Sequence, residues 1–240
     1  MQEEQSQKAI TQARKDGKNI AKDLTSQFKP SEESLAIFMA GAPGAGKTEF
    51  SEEIISRSES QSIIHIDGDK LRTYFDGYTG DNSHQFQTAM SLVVEKILDQ
   101  VYKKKVSFIL DGTLSSYTVA EKNLKRALRK NRVVLIYFIY QEPKVSWMFT
   151  QRREGVEGRR ITKEIFIEKY FGSIDTMKQI LDNPDFTGKI KIYPIYKNYN
   201  EKTKKTEKVY YKPFMAGKVP IDQYIKASYN KNQLRELLCD

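Results

Sequence analysis

The segment GAPGAGKT, from Gly41 to Thr48, constrains the fold of this chain most strongly because it matches the pattern G-x-x-x-x-G-K-[ST]. It follows an apolar stretch at 35–40 that is typical of a buried parallel strand. Such glycines let backbone N–H groups turn toward phosphates, while the lysine adds a positive charge and the threonine hydroxyl a ligand for Mg²⁺. A glycine-rich turn that matches by chance is the alternative. We predict a site for a nucleoside triphosphate, ATP or GTP. The residues that form it are Gly41, Ala42, Pro43, Gly44, Ala45, Gly46, Lys47, Thr48 and Glu49.

Composition and charge indicate the size class, the compartment and the partners of this chain. The 240 residues suit one α/β domain with appendages, and the single cysteine, Cys239, excludes an intrachain disulfide framework. The first thirty residues are polar and no apolar run is long enough to span a bilayer, so we expect a cytoplasmic protein without membrane contact. The net charge of +9 favours phosphate-bearing partners. Lysine clusters at 103–105 and 202–205 are more typical of solvated helix ends and loops, which makes nucleic acid the less favoured partner.

Strand and helix patterns alternate after an amphipathic, helical start at 4–28. The predicted strands are 35–40, 62–66, 106–110 and 132–140, and the predicted helices are 48–58, 84–102, 117–130, 143–154 and 162–182. Alternation of this kind predicts an α/β fold with a mostly parallel sheet covered by helices on both faces, and ligands at the carboxyl ends of the strands. A β-hairpin over 189–199 and 207–211 and a closing helix around 220–238 complete the prediction.

Acidic residues follow the second and third predicted strands. Asp67 is the best candidate for the base that accepts a proton from a hydroxyl acceptor in phosphoryl transfer. Asp69 is equally consistent with a helix N-cap or a first-turn acid. Asp111 ends the third strand as in a Walker B element, and Thr113 follows after a glycine. Asp111 is consistent with Mg²⁺ binding through water, with a hydrogen bond to substrate, or with a turn aspartate that caps the next segment.

A cluster of arginines marks a candidate lid. Arg152, Arg153, Arg159 and Arg160 flank the glycine-containing stretch 155–158 between two predicted helices. Arginines that close over a phosphoryl group stabilise charge in the transition state. We expect about half of these four to be structural, in surface ion pairs with neighbouring glutamates.

Two histidines and three aromatic residues also lie near the predicted strand ends. His65 and His84 are more typical of packed or capping residues, and we assign neither to the site. Tyr74, Phe75 and Tyr78 follow the second strand and are candidates for stacking on a base, although most aromatic residues here fit a core.

Four motifs together resemble those of the zeta toxins, which are bacterial P-loop kinases of toxin–antitoxin systems. They are GAPGAGKTE at 41–49, DGDKLR at 67–72, DGTL at 111–114 and RITK at 160–163. The resemblance implies ATP- and Mg²⁺-dependent phosphorylation of a sugar hydroxyl of UDP-N-acetylglucosamine, and it admits a small antitoxin protein as a partner. We therefore expect a helical extension over 1–30 and a P-loop kinase domain over 31–240, with a lid at about 150–162.

The resemblance assigns roles residue by residue. Asp67 matches the base, Lys47 the phosphate-loop lysine, and Arg152 and Arg160 the lid arginines. The candidate substrate-binding residues are Asp69, Arg72, Asp111 and Thr113, and the candidate metal ligand is Thr48.

The chain also departs from the family pattern. Asp111 stands where the family has glutamate, the lid is shorter, and the histidine-bearing stretch after the second lid arginine reads KEIF at 163–166. We expect kinase chemistry to survive these changes, with an acceptor that is UDP-N-acetylglucosamine, another nucleotide sugar or a nucleotide cofactor. The alternatives are a polynucleotide 5′-kinase and a nucleotide-binding module without catalysis.

Overall fold

A computed structural model describes residues 2–59, 62–157, 160–225 and 228–238. The helices are α1 Gln2–Leu24, α2 Lys47–Ser56, α3 Gly68–Leu71, α4 Gln87–Lys104, α5 Tyr117–Arg129, α6 Pro143–Glu157, α7 Lys163–Asp182 and α8 Lys231–Leu237. The strands are β1 Leu35–Ala40, β2 Ile63–Asp67, β3 Ser107–Asp111, β4 Val133–Gln141, β5 Ile190–Asn200, β6 Lys205–Tyr210 and β7 Phe214–Met215. The predictions for Gly158, Arg159 and Cys239 fall outside the described residues. Within the described ranges, no helix has the length and apolar character needed to cross a membrane.

The strands form one sheet in the order β2-β3-β1-β4-β5-β6, with β7 beside β5. Strands β1 to β5 are parallel, which confirms the predicted mostly parallel α/β architecture. The predicted hairpin is present as the antiparallel pair β5–β6. Its first strand is also the fifth parallel strand of the sheet, so the hairpin continues the sheet and brings the end of β5 to the ligand-binding edge.

Helices cover both faces of the sheet. Side chains such as Phe38 and Phe108 pack with residues of α4, α5 and α7 in the larger core. Ile37 and Ile109, from the alternate positions of the same strands, pack with Phe50 of α2 on the opposite face. This alternation follows from the two-residue period of a strand, and it places the helix that follows the phosphate loop on one defined face.

Helix α1 packs along α4 through small residues. The buried positions recur every fourth residue, which aligns them on one face of a helix: Ala9, Ala13, Gly17, Ala21 and Thr25. The larger apolar residues of the same helix, Ile10, Ile20 and Leu24, are only partly buried beside this stripe. Close approach of two helices therefore selects small side chains at the centre of this contact.

The closing helix predicted at 220–238 is wrong in its first half. Pro220 precedes only a 3₁₀ turn at Ile221–Tyr224, and α8 begins at Lys231. The side chain of Asn230 accepts hydrogen bonds from the first turn, while the side chain of Gln233 reaches back to the backbone of Asn230. This capping box fixes the start of the helix.

Candidate active site at the carboxyl ends of the strands

The phosphate loop connects β1 to α2 and requires glycine where other backbone comes close. Gly41 has a φ of 134°, and a Cβ there would overlap the carbonyl oxygen of Ile139. Gly44 has a φ of 72°, and a Cβ there would overlap the carbonyl oxygen of Ser146. Both positions combine a left-handed backbone with no room for a side chain, so the loop geometry depends on glycine.

Lys47 and Thr48 begin α2 and lie at the centre of the loop. The Lys47 ammonium donates a hydrogen bond of 2.6 Å to the carbonyl of Ala42, across the loop, and the side chain is buried. The Thr48 hydroxyl lies close enough to the Asp111 carboxylate to lower the pKa of that group. A loop of backbone N–H groups, a helix N-terminus, a buried ammonium and a hydroxyl beside a carboxylate fit a triphosphate with Mg²⁺.

Asp67 lies at the end of β2 and is buried, with 9% of its surface exposed. Its carboxylate accepts a hydrogen bond of 2.9 Å from the backbone N–H of Asp69, so Asp67 is the N-cap of α3. Burial, followed by the negative charge of Asp111, raises the pKa of Asp67 above its usual range. A carboxylate in such a setting is a better proton acceptor than an exposed aspartate.

Asp111 lies directly beside Asp67 in register, at the end of β3. Its Oδ2 is 3.1 Å from Nε2 of His65. Burial alone would raise the pKa of Asp111, but the hydrogen bond from His65, the charges of Lys47 and His65 and the Thr48 hydroxyl together hold it below its usual range. The pKa values of the two neighbouring carboxylates are therefore shifted in opposite directions, as expected for groups with separate roles.

His65, Asp67 and Asp111 form a cluster that offers ligands to a metal. Each contributes a ligand atom, and these atoms lie within 4.8 Å of one another. His65 is a residue that we did not assign from the sequence. The available signal was its position two residues before Asp67 in the same strand, which places both side chains on one face.

Asp69 and Arg72 form a second polar group beside the site. The guanidinium of Arg72 is paired with the Asp69 carboxylate and donates a 2.7 Å hydrogen bond to the side chain of Gln87. Arg72 is 5% exposed, its Nε has no hydrogen-bond partner, and burial lowers its pKa. Asp69 is therefore a first-turn acid of α3, while the N-cap role that we considered for it belongs to Asp67.

Thr113 follows β3 and contacts the start of the phosphate loop. Its carbonyl accepts a hydrogen bond of 3.2 Å from the N–H of Gly41, and its hydroxyl is 2.9 Å from the Ser115 hydroxyl. The described contacts of Asp111 are with His65, Lys47 and Thr48, and none of them caps the segment after β3. The Asp111 side chain instead faces the phosphate loop.

The arginines assigned to the lid contact α6 itself. Gly155, predicted as part of a glycine-containing lid, lies within α6, which continues to Glu157. The Arg152 guanidinium lies 5.6 Å from the ring centre of Phe149, and Arg160 pairs with Glu154 at 3.7 Å. The Arg160 side chain is 72% exposed, so this is a surface ion pair of small energetic value.

The aromatic residues after Asp67 have divided roles. Phe75 is buried and packs on Phe86, and Tyr78 packs edge-on against the same ring. Phe75 is therefore a core residue, which contradicts its suggested role in stacking on a base. Tyr74 is 46% exposed on the same loop.

This combination of fold and site defines a class of protein. The phosphate loop connects β1 to α2, and carboxylates lie at the ends of β3, the neighbour of β1, and of β2, the next strand outward. A sheet of this strand order with such a loop is the architecture of P-loop kinase-like α/β proteins. The family model of the zeta toxin matches residues 7–213. The chain therefore belongs to the zeta toxin family.

The individual relatives share little sequence identity with this chain. The toxin PezT of Streptococcus pneumoniae serotype 4 is 27% identical over 137 residues, which are 54% of this chain and 53% of PezT, so the match spans about half the length of that relative. A solved structure from the PezAT chromosomal toxin–antitoxin system of S. pneumoniae has a TM-score of 0.68 at 18% identity and covers 95% of this chain and 91% of its own. A structure of AvrRxo1-ORF1:-ORF2 with ATP has a TM-score of 0.57 at 14% identity, with coverages of 89% and 67%. At these identities the solved structures support the fold alone.

Proposed function

We propose that this protein is an ATP- and Mg²⁺-dependent kinase that phosphorylates a hydroxyl of a nucleotide sugar, UDP-N-acetylglucosamine or a related nucleotide, and acts as a toxin opposed by an antitoxin. The observation that carries the proposal is the side-by-side placement of Asp67 and Asp111 next to the buried end of the phosphate loop. A nucleotide-binding module without catalysis has no need for a buried carboxylate with a raised pKa at this position.

The residues divide the work of phosphoryl transfer. Asp67 accepts the proton of the acceptor hydroxyl, and Lys47 with the loop N–H groups neutralises charge on the phosphoryl group. Mg²⁺, when bound, supplies further charge neutralisation, and Thr48 and Asp111 are the residues that would hold it. Asp69, Arg72 and Thr113 line the acceptor side in this proposal.

The distribution of charge favours a small acceptor over a polynucleotide. The lysine cluster at 103–105 ends α4 beside the start of β1, where the carbonyl of Lys105 accepts a hydrogen bond from the N–H of Ser31. This cluster therefore lies at the amino ends of the strands, opposite the edge that carries Asp67. A nucleic-acid strand needs basic residues along its path to the site.

The test is to incubate the purified protein with labelled ATP and Mg²⁺, either with UDP-N-acetylglucosamine or with a metabolite extract, and to identify labelled products by mass spectrometry. Lys47→Ala should be folded and inactive, and Lys122→Ala, on the surface of α5, should be as active as the wild type. Labelling of nucleic-acid 5′ ends, with an affinity that falls with salt at a log–log slope of about −4 or steeper, would favour the polynucleotide kinase instead. Absence of any labelled product would contradict the proposal.

A further inference from the structure

Lys197 lies against the phosphate loop from the side of the sheet. It occupies the carboxyl end of β5, in register with Gln141 at the end of β4. A Cβ on Gly46, the residue that precedes α2, would overlap the Lys197 ammonium. Lys197 thus brings a positive charge to the backbone of the phosphate loop from strand β5, whereas Lys47 is carried by helix α2.

The Lys197 ammonium has a carboxylate nearby, because Oε2 of Glu49 lies 3.4 Å from the same Cβ position on Gly46. Burial lowers the pKa of Lys197, with Glu49 and Glu53 opposing this shift and Lys208 adding to it. Lys208, its register partner on β6, takes the carboxylate of Glu53 in an ion pair. Within the described ranges Lys197 forms neither an ion pair nor a side-chain hydrogen bond. It also lies at the N-terminus of α2, where the helix dipole adds further positive charge.

Neighbouring polar groups on the same face are also unsatisfied. Gln141 is 1% exposed, and both atoms of its amide lack a hydrogen-bond partner. Tyr199 follows Lys197 by two residues on the same face of β5, and its hydroxyl is buried without a partner. Buried polar groups are almost always hydrogen-bonded, so unsatisfied polar atoms on the same face of the sheet as an ammonium without an ion pair indicate a place prepared for a polar, anionic ligand.

We propose that Lys197 is a second phosphate-binding cation of the donor site, which contacts the phosphate chain of the bound nucleotide from the β5 side of the loop. The proposal rests on the proposed function only in taking a nucleoside triphosphate as the ligand of the loop. An ammonium at this position completes the cage that the loop N–H groups and Lys47 begin, and the negative charge of the phosphates balances the positive charge that accumulates there.

The experiment measures binding rather than turnover. Affinities of the wild type, Lys197→Met, Lys197→Arg and Lys191→Met for ATP and for adenosine are determined by isothermal titration calorimetry. Methionine keeps the unbranched stem in its partly buried setting and removes the charge. Lys191 is the matched control, because it lies on the same face of β5, with its ammonium 5.3 Å from the ring centre of Tyr193 and away from the loop.

We expect Lys197→Met to weaken ATP binding by about tenfold or more, the usual range for a charge-assisted hydrogen bond, and to leave adenosine binding unchanged. Lys197→Arg should restore part of the loss, and Lys191→Met should bind ATP as the wild type does. The nucleotide-free melting temperature of Lys197→Met should stay level or rise, because a partly buried charge without an ion pair has been removed, while the stabilisation by added ATP should shrink.

Two outcomes would overturn the proposal. One is an ATP affinity of Lys197→Met within about twofold of the wild type. The other is an equal loss of affinity for adenosine and ATP, which would assign Lys197 to binding of the base or to the structure of the loop. A lower melting temperature with an unchanged response to ATP would likewise make Lys197 a structural residue. Failure of the proposed function is a separate result, since a wild-type protein that binds ATP without transferring phosphate leaves the assignment of Lys197 intact.

Discussion

The carboxylates of Asp67 and Asp111 occupy paired register positions at the ends of the neighbouring parallel strands β2 and β3. Both lie at the edge where the phosphate loop turns into α2, and burial, followed by the negative charge of Asp111, raises the pKa of Asp67. Two buried acids in paired register positions destabilise the fold when both are ionised. An arrangement with this cost indicates a functional requirement at the strand ends.

Asp67→Asn should abolish turnover, preserve ATP binding and raise thermal stability. The amide oxygen still accepts the hydrogen bond from the N–H of Asp69 but cannot take a proton from the acceptor. Because the pKa of Asp67 is higher in the folded than in the unfolded chain, its ionisation destabilises the fold at neutral pH. The gain in melting temperature should therefore be largest at neutral pH and vanish below the usual pKa of aspartate.

Calorimetric ATP affinity, steady-state rates and melting curves at several pH values provide the measurement. Asp76→Asn, on the exposed loop that follows, is the control and should change none of them. Loss of ATP affinity in parallel with the rate would make Asp67 a metal or structural residue instead of the base.

His65 should act as a positioning residue for Asp111. Its Nε2 is 3.1 Å from Oδ2 of Asp111, and both side chains are largely buried. Replacement by phenylalanine keeps an aromatic ring and removes the hydrogen bond, and we expect kcat to fall about 10- to 100-fold, as for other partners that orient a metal-site ligand. His65→Gln retains a donor and should recover part of the rate.

His84→Phe is the matched control, because His84 is exposed and lies before α4. Steady-state kinetics with varied Mg²⁺ concentration separates the alternatives. A positioning role should appear in kcat or in the Mg²⁺ requirement, whereas His65→Phe with wild-type kinetics would reduce His65 to a packing residue.

The fold of the central sheet was predictable because its signals are local. The apolar stretch before Gly41 and the helix after Lys47 predicted β1, the phosphate loop and α2 closely. The C-terminal part was less predictable, since the capping box at Asn230 is a short signal compared with the apolar positions that suggested a longer helix. That β5 joins the sheet beside β4 depends on long-range pairing, which one sequence does not reveal.

The same contrast holds for the site. The placement of Asp67 and Asp111 at one edge of the sheet was predictable because each immediately follows an apolar stretch, and parallel strands end at one edge. Lys197 was not, since its proximity to Gly46 follows from the position of β5 in the sheet. The hydrogen bond of His65 to Asp111 likewise required the register between β2 and β3.

Arg152 and Arg160 remain the predicted lid arginines, and alanine at either position should lower kcat more than it raises the KM for ATP. The expectation follows from closure of the lid on both substrates, in which each guanidinium contacts the phosphoryl group mainly in the transition state. In the present structure both side chains contact residues of α6, so closure has to replace a cation–π contact and an exposed ion pair, both weak.

Steady-state kinetics of the alanine variants is the measurement, with Arg153→Ala and Arg159→Ala as controls that should change the rate by less than about tenfold, roughly 1.4 kcal/mol. A change confined to KM would indicate contacts made equally with bound ATP. If Arg153 or Arg159 proves the more damaging loss, the lid assignment is displaced by one residue.

Two helix glycines should respond to alanine with opposite signs. A Cβ on Gly17 of α1 would meet Val93 and Lys96 at 3.6 Å, an ordinary van der Waals distance. Gly17→Ala should therefore stabilise the protein by about 0.8–1 kcal/mol, the difference in helix propensity, which is about 2–4 °C in melting temperature. A Cβ on Gly172 of α7 would lie 2.6 Å from the carbonyl oxygen of Ser115, so Gly172→Ala should lower the melting temperature because backbone must move. Calorimetric melting curves of both variants decide the matter, and a destabilised Gly17→Ala would mean that α1 and α4 approach each other more closely than this structure has them.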